Sequence, residues 1–277
     1  MNKQANTLKN NIMKKTTLIL AVFISIFSVS CKKDKLDSDC NIASITINDN
    51  PSFKSTFKYD NQNRISEYTE EGGAVVYKFE YTGLSGKLKL FLADTLYDTK
   101  NLTFDSNGRL TSFEDYLPFG GDLLRYFYLF TYNSDGYLAS TIQTLTGGSY
   151  DSYYRDSLIY SGGNLIKSFK KHRNNTIQTT TEFSYGSNTN KHWNFYWNAF
   201  TEPFSILSGY TFLYPLLGKT STNLPTSVVV TEGSFIDNFS YAYFINSAGN
   251  ATEYNEMRSN TVTGNTSSNY KLTYTCD

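Results

Sequence analysis

The stretch Phe104-Asp105-Ser106-Asn107-Gly108-Arg109-Leu110 decides the fold class of this 277-residue chain. Asp and Ser favour the start of a type I turn, and the Gly accepts the left-handed conformation of a bulge that realigns the outgoing strand. Beside such turns apolar and polar residues alternate, as in Phe57-Lys58-Tyr59. Alternation with a period of two indicates β-strands, so the stretch predicts a β-hairpin with a tight turn.

The same pattern recurs along the chain. Its unit is an aromatic or apolar residue, three turn-like residues, Gly or Asn, any residue, and then Leu or Ile. Copies with one spacing occupy residues 59–65, 104–110, 132–138 and 160–166, and looser copies occupy 81–88 and 245–251. Successive hairpins predict an all-β fold, an antiparallel meander that forms a curved single-layer sheet or an open barrel.

These units resemble the YD repeat, also called the RHS repeat, in which Tyr-Asp is followed by Gly-Arg-Leu. The resemblance rests on Tyr59-Asp60 with Arg64-Ile65, and on Phe104-Asp105 with Gly108-Arg109-Leu110. The chain is also similar to lipoproteins of the Bacteroidota that carry such repeats. Large RHS proteins build a closed shell, for which this chain has too few units. The resemblance therefore implies architecture and leaves activity open.

The start of the chain predicts a secretory signal peptide at residues 1–30. Met13-Lys14-Lys15 is basic, Thr16 to Val29 is apolar or small, and small residues precede Cys31. The apolar run is shorter than the ~20 residues that a membrane-spanning helix needs. Because the basic segment begins at Met13, that residue is an alternative start of the protein.

Cys31 makes this segment resemble a bacterial lipoprotein signal, although Ser28 stands where Leu is usual. The resemblance implies that Cys31 carries the lipid and that this anchor binds the protein to the outer membrane. The cell surface and the periplasmic face of that membrane are alternative locations. Several acyl chains anchor a protein stably. Residues 31–39 are charged and poor in apolar residues, so we interpret them as a flexible tether.

Residues 40–277 are predicted to form a single all-β domain. Cys40 precedes the first predicted strand, 41–47, and Cys276 follows the last, 270–275. An oxidising envelope permits a disulfide between them, and two free thiols are the alternative. No cysteine or histidine ligands are closely spaced, and no cofactor fingerprint is present, so we predict neither a metal nor a cofactor.

The charges and motifs argue against two functional classes. Lys and Arg total 25 against 25 Asp and Glu, and the basic residues are scattered, so nucleic acid is not an expected partner. No nucleophile elbow or phosphate loop is present. Glu70-Glu71 and Glu114-Asp115 offer the acid and base of a glycosidase, but we interpret them as solvated charges.

Residues 191–218 interrupt the repeats and contain both tryptophans. One interpretation is an aromatic ligand-binding platform for a glycan or another protein, built from His192, Trp193, Tyr196 and Trp197. The favoured alternative is a hydrophobic loop or short helix that covers the apolar face of the sheet, because such a face must be buried.

The sequence thus favours a lipid-anchored envelope protein that acts as a non-catalytic binding or interaction module, with a glycan or an envelope protein as partner. Two alternatives are an envelope polysaccharide hydrolase and a structural or assembly component of the outer membrane. A membrane-spanning barrel is disfavoured, since the chain ends in Thr275-Cys276-Asp277 and not in the usual aromatic residue.

Overall fold

A computed structural model describes residues 40–70, 72–119, 122–148, 150–191, 211–260 and 264–276. In these ranges the chain forms sixteen β-strands and two short 3₁₀ helices. The strands are β1 Asn41–Ile47, β2 Lys54–Tyr59, β3 Ile65–Thr69, β4 Val75–Thr82, β5 Ser85–Leu92, β6 Thr95–Phe104, β7 Leu110–Phe119, β8 Asp122–Tyr132, β9 Leu138–Gly147, β10 Tyr150–Ser161, β11 Asn164–His172, β12 Ile177–Thr189, β13 Asn223–Glu232, β14 Phe235–Ile245, β15 Ala251–Asn260 and β16 Gly264–Thr275. The helices are η1, Pro51–Phe53, and η2, Thr211–Leu216.

Every strand pairs antiparallel with the next, and β1 also pairs with β16, so the sheet closes into a barrel. Ile45 and Leu272 are opposite each other where the two ends of the chain meet. The predicted all-β antiparallel meander is confirmed, and its barrel is closed. Closure pairs both edge strands, which would otherwise expose unsatisfied backbone groups. This pairing joins distant parts of the chain, so no local pattern signals it.

The chain divides into two compact units, residues 41–275 and residues 1–40 with 276–277. All described strand pairings lie within Asn41–Thr275, so a segment of residues 40–277 contains every one of them. In the other unit, Cys40 and Cys276 form a disulfide, with their Cα atoms 4.1 Å apart. Within the described ranges, no helix has the length and apolar character that crossing a membrane requires.

Side chains along the strands alternate between a mainly apolar inner side and an outer side that mixes charged and polar residues with exposed apolar ones. In β4, Tyr77 and Phe79 are buried, whereas Lys78 and Glu80 are exposed. This is the period-two alternation that the sequence predicts. Several cations on the outer side pair with acids on the next strand, as where Lys58 Nζ lies 2.6 Å from Glu67. The outer wall therefore carries cross-strand charged pairs.

The interior near one end of the barrel is filled by η2. A ring of sixteen strands encloses more space than the side chains of its wall can fill, which leaves room for another segment. Phe212 stacks on Tyr68 and lies near Tyr77, both with ring centroids 4.5 Å apart, and Leu213 and Leu217 are fully buried. The interpretation of the 191–218 segment as a hydrophobic cover is confirmed for residues 212–217.

Candidate functional site

Four turns in the described part of the chain share one hydrogen-bond pattern, in which the side chain of the first residue accepts from the backbone N–H groups of the third and fifth. In the second of them, Asp105 Oδ1 accepts from Asn107 N at 2.9 Å and from Arg109 N at 3.0 Å. The fourth position is left-handed, with φ of 76° at Gly108 and 64° at Asn63. The turns begin at Asp60, Asp105, Asn133 and Asn246. They connect alternate pairs of strands and therefore lie at the same end of the barrel, the turn end.

The structure changes the grouping of the repeat copies. The segment 245–251, predicted to be a looser copy, has the full pattern, since Asn246 Oδ1 accepts from Ala248 N and Asn250 N. The segment 160–166 closes through a two-residue turn instead. There Gly162 and Gly163 both have positive φ, which suits such a hairpin.

Two arginines at the fifth turn position are fixed by the turns themselves. Arg64 Nε donates to Asp60 Oδ2 at 2.8 Å, and its guanidinium lies 3.9 Å from the ring centroid of Tyr81. Arg109 repeats this arrangement over Tyr132 at 4.3 Å. Burial tends to raise the pKa of Asp60, but the hydrogen bonds from Arg64 and the backbone outweigh it and hold the pKa below its usual range. The carboxylate therefore stays charged and orients the guanidinium.

Tyrosine hydroxyls near the turn end join neighbouring strands to each other. Tyr81 Oη donates to the carbonyl of Ile65 at 2.8 Å, and Tyr185 Oη donates to the carbonyl of Leu165 at 2.7 Å. Burial raises the pKa of Tyr185 to about 12, so this hydroxyl remains a donor. Described tyrosines that bond a backbone carbonyl in this way are Tyr59, Tyr81, Tyr132, Tyr185, Tyr243 and Tyr274. These bonds make the turn end a fixed frame.

A cleft opens between the turns and the segment that leaves η2. It consists of two cavities of about 340 Å³ and about 650 Å³, which share Gly108, Pro215, Leu216 and Gly218 as lining residues. Tyr59, Arg64 and Lys191 also line the smaller cavity. The larger cavity is lined by Asn107, Arg109, Asn133, Ser134, Asp135 and Lys219 in addition to the shared residues.

The segment after η2 is fixed to the turns by backbone hydrogen bonds. Lys219 N donates to the carbonyl of Gly136, and Thr222 N donates to that of Gly163, both at 3.0 Å. The two chains approach so closely that a Cβ at Gly218 would lie 2.5 Å from the Gly136 carbonyl oxygen. One side of the cleft is therefore held rigidly against the other.

The chemistry of the lining suits a polar, uncharged or weakly charged ligand. Among the described lining residues the cations are Arg64, Arg109, Lys191 and Lys219, and the acid is Asp135. Both arginines are already paired with turn aspartates, so the positive charge is largely compensated locally. Amide, hydroxyl and carboxylate groups stand beside the apolar Pro215 and Leu216. Such a mixture provides both hydrogen bonds and flat apolar contact.

The ligand-binding residues predicted from the sequence, His192, Trp193, Tyr196 and Trp197, lie outside the described residues, as does Cys31. Lys191, which precedes His192, lines the smaller cavity. Sequence reasoning missed Asn107, Arg109 and Asp135 as site residues. Their signal was the repeat itself, because the second to fifth positions of each turn project from one end of the barrel.

Glu114 and Asp115 do not form an acid–base pair. Adjacent residues of a strand face opposite sides. Glu114 on the outer side accepts from Tyr116 Oη at 2.7 Å, whereas Asp115 is buried inside and pairs with Lys100. The interpretation as solvated charges is therefore wrong for Asp115, since the burial of a paired carboxylate has no local sequence signal.

A second buried carboxylate, Asp156, lies elsewhere on the inner wall. Thr141 Oγ1 donates to its Oδ2 at 2.6 Å, and Lys170 is its register partner on β11. Burial raises the pKa of Asp156 to about 7, against the lowering effects of Thr141 and Lys170.

Asp115 and Asp156 are too far apart to act together. Asp115 on β7 is opposite Tyr126 on β8, which in turn is opposite Leu145 on β9. Asp156 on β10 is opposite Thr141 on β9, four residues from Leu145. Four residues along a strand are about 13 Å. In the described ranges, no group of three or more His, Cys, Asp or Glu side chains is arranged to hold a metal ion.

Comparisons with known proteins give a fold and no family. No family model matches the chain, and no curated protein matches it. The chain is similar to the crystal structure of a porin-like protein from Bacteroides uniformis, with 15% identity, a TM-score of 0.63, and coverage of 84% of this chain and 96% of that one. It is also similar to the crystal structure of a porin-like protein from Bacteroides vulgatus, with 14% identity, a TM-score of 0.54, and coverage of 85% of this chain and 99% of that one.

At these identities the likeness shows the fold alone. The chain is a closed antiparallel barrel similar in fold to these porin-like proteins, with η2 inside it. Its outer wall mixes charged residues such as Lys78 and Glu80 with exposed apolar residues such as Leu96, Leu123 and Met257. The resemblance to YD repeats stays a prediction.

Proposed function

We propose that this protein is a lipid-anchored lipoprotein of the outer membrane that binds a carbohydrate, without catalysis, in the cleft at the turn end. The observation that carries the proposal is the cleft itself, two adjoining cavities framed by repeated rigid turns and by the segment after η2. Cavities of several hundred Å³ with a few fixed polar groups are typical of small-molecule sites.

Carbohydrate is the ligand class that fits the lining best. A sugar ring offers hydroxyls at its rim and an apolar face, and the cleft offers amides and carboxylates beside Pro215 and Leu216. The side chains of Asn107 and Asp135 stand at the third position of their turns, where the backbone and not the side chain completes the turn. They are therefore available to a ligand without loss of the fold.

The sequence supports the envelope location, because the predicted leader ends at Cys31, and residues 31–39, which follow in sequence, are charged and poor in apolar residues. In this proposal the acyl chains on Cys31 hold the protein to the outer membrane.

An oligosaccharide array followed by calorimetry on residues 40–277 tests the proposal. The variant Asn107→Ala/Asp135→Ala should bind the sugar at least tenfold more weakly, because each lost hydrogen bond contributes about 1 kcal/mol. Ala248 occupies the same turn position, so alanine is compatible with the turn. Gln62→Ala is the matched control. Gln62 occupies the same turn position but does not line either cavity, so this variant should bind the sugar normally.

Two results contradict the proposal: no oligosaccharide bound by the unmodified protein, or equal affinity in the double variant. A second arm replaces Trp193 and Trp197 with Ala. If sugar affinity then falls while Asn107→Ala/Asp135→Ala has no effect, the aromatic platform predicted from the sequence is the site and the cleft is not.

A further inference from the structure

Two cations face each other on the outer wall without an acid between them. Arg155 on β10 and Lys171 on β11 are register partners, and Asp156 and Lys170 beside them point inward and are buried. Like charges directly opposite each other destabilise a sheet. In the part of the chain that the structure describes, neither Arg155 nor Lys171 forms an ion pair.

The pair differs from other facing cations in having no acid beside it. Lys78 on β4 also faces a cation, Lys89, but Glu67 is the register partner of Lys78 on β3 and Lys89 pairs with Glu80. Other outer-wall cations meet an acid on the neighbouring strand, with Nζ–Oε1 distances of 2.6 Å for Lys58 with Glu67 and 2.7 Å for Lys167 with Glu182. The acids nearest to the pair in register are engaged, Glu182 with Lys167 and Asp151 with Arg173. The repulsion between Arg155 and Lys171 is thus uncompensated by the residues that the structure describes.

Apolar side chains surround the two cations. Ile142 is the register partner of Arg155 on β9, and Ile177 is that of Lys171 on β12, with 51% of its surface exposed. Phe169, on the outer side of β11, lies with its ring centroid 5.9 Å from Lys171 Nζ. The outer-wall patch, defined as Ile142, Arg155, Phe169, Lys171 and Ile177, is therefore cationic and apolar at once.

We propose that the outer-wall patch docks on an anionic lipid surface. Phosphate headgroups supply the negative charge that Arg155 and Lys171 lack, and each cation near an anionic bilayer strengthens binding. The flanking Ile142, Phe169 and Ile177 enter the boundary between headgroups and acyl chains. A soluble polyanion would neutralise the cations but leave these apolar side chains in water, so lipid fits the patch better.

Sedimentation of residues 40–277 with vesicles tests this docking. Vesicles of phosphatidylglycerol with phosphatidylcholine should bind the protein, and binding should weaken as salt rises. The variant Arg155→Gln/Lys171→Gln should bind roughly 30-fold more weakly, from the usual contribution of two cations. Lys58→Gln/Lys89→Gln has the same net charge, removes cations that face Glu67 and Glu80, and should bind almost normally.

A second variant separates lipid binding from folding. Arg155→Glu places an acid opposite Lys171, so its melting temperature should equal or exceed that of the unmodified protein while vesicle binding is lost. Equal binding to pure phosphatidylcholine, equal losses in both double variants, or binding to heparin without binding to vesicles would each overturn the proposal. None of these outcomes depends on a sugar in the cleft.

Discussion

The carboxyl group of Asp156 is fully buried on the inner wall, where water cannot solvate its charge. Its Oδ2 accepts from Thr141, and its other oxygen, Oδ1, has no hydrogen-bond partner among the described residues. Burial is the dominant influence and raises the pKa from 3.8 to about 7. The native protein therefore holds a proton on Asp156 at pH values at which the unfolded chain has released it.

This proton makes stability depend on pH in a defined direction. Between about pH 4 and pH 7 the native state binds more protons than the unfolded state, so Asp156 should lower the free energy of unfolding as pH rises, by up to about 1.4 kcal/mol per unit. Asp156→Asn, which mimics the neutral acid, should gain stability relative to the unmodified protein across this range. Urea unfolding at pH 4, 5.5 and 7 measures the difference. If the free energy of unfolding depended on pH in the same way in both proteins, the raised pKa of Asp156 would be contradicted.

At the scale of the element, the turn that begins at Asp105 shows how a seven-residue pattern becomes a rigid hairpin. The aspartate oxygen replaces missing backbone partners, the left-handed Gly108 redirects the chain, and the register shifts by one residue between Thr103 and Phe104. These interactions are local. The turn is therefore predictable from sequence, including the bulge.

Gly108 allows a matched test of this turn. Its φ is 76°, and a Cβ there would meet no atom within 4 Å, so any cost of substitution comes from backbone conformation alone. Gly108→Val should destabilise the protein by about 1–2 kcal/mol, because β-branched residues resist the left-handed region. Gly108→Asn should cost less, since Asn63 already occupies the equivalent position at φ 64°. Thermal unfolding compares the two variants, and equal losses would refute the backbone explanation.

At the scale of the whole molecule, closure of the barrel depends on contacts between the two ends of the sequence. β1 pairs with β16, and Ser44 Oγ on β1 is hydrogen-bonded to Thr273 Oγ1 on β16 at 2.8 Å. Bringing two distant strands together lowers the conformational entropy of the chain, and this cost opposes closure. A covalent link between residues 236 apart removes much of this cost from the unfolded state.

Cys40→Ser/Cys276→Ser should therefore lower the free energy of unfolding by about 2–4 kcal/mol. Denaturant unfolding of the oxidised protein and of the double variant measures the loss. A reducing agent should weaken the unmodified protein and leave the variant unchanged, which controls for any effect of the reagent itself. Unchanged stability in the variant would show that strand pairing alone holds the ends together.

The sequence by itself determined the strands, the turns and the all-β meander. The first predicted strand, 41–47, coincides with β1, and the turn at 104–110 has the expected bulge. The position of the hydrophobic cover was also readable, because residues 212–217 interrupt the repeat with large apolar side chains. All of these signals come from neighbouring residues, through alternation, turn chemistry and composition.

Only the tertiary structure decided what the barrel encloses and which side chains meet. Asp115 is buried because Lys100 reaches it, Arg155 faces Lys171 because β10 and β11 pair in one register, and the cleft exists because the segment after η2 bonds to Gly136. Each of these depends on the register and closure of a sheet whose strands come from distant parts of the chain. A shift of one residue would turn every side chain to the other face, and no local pattern fixes that choice.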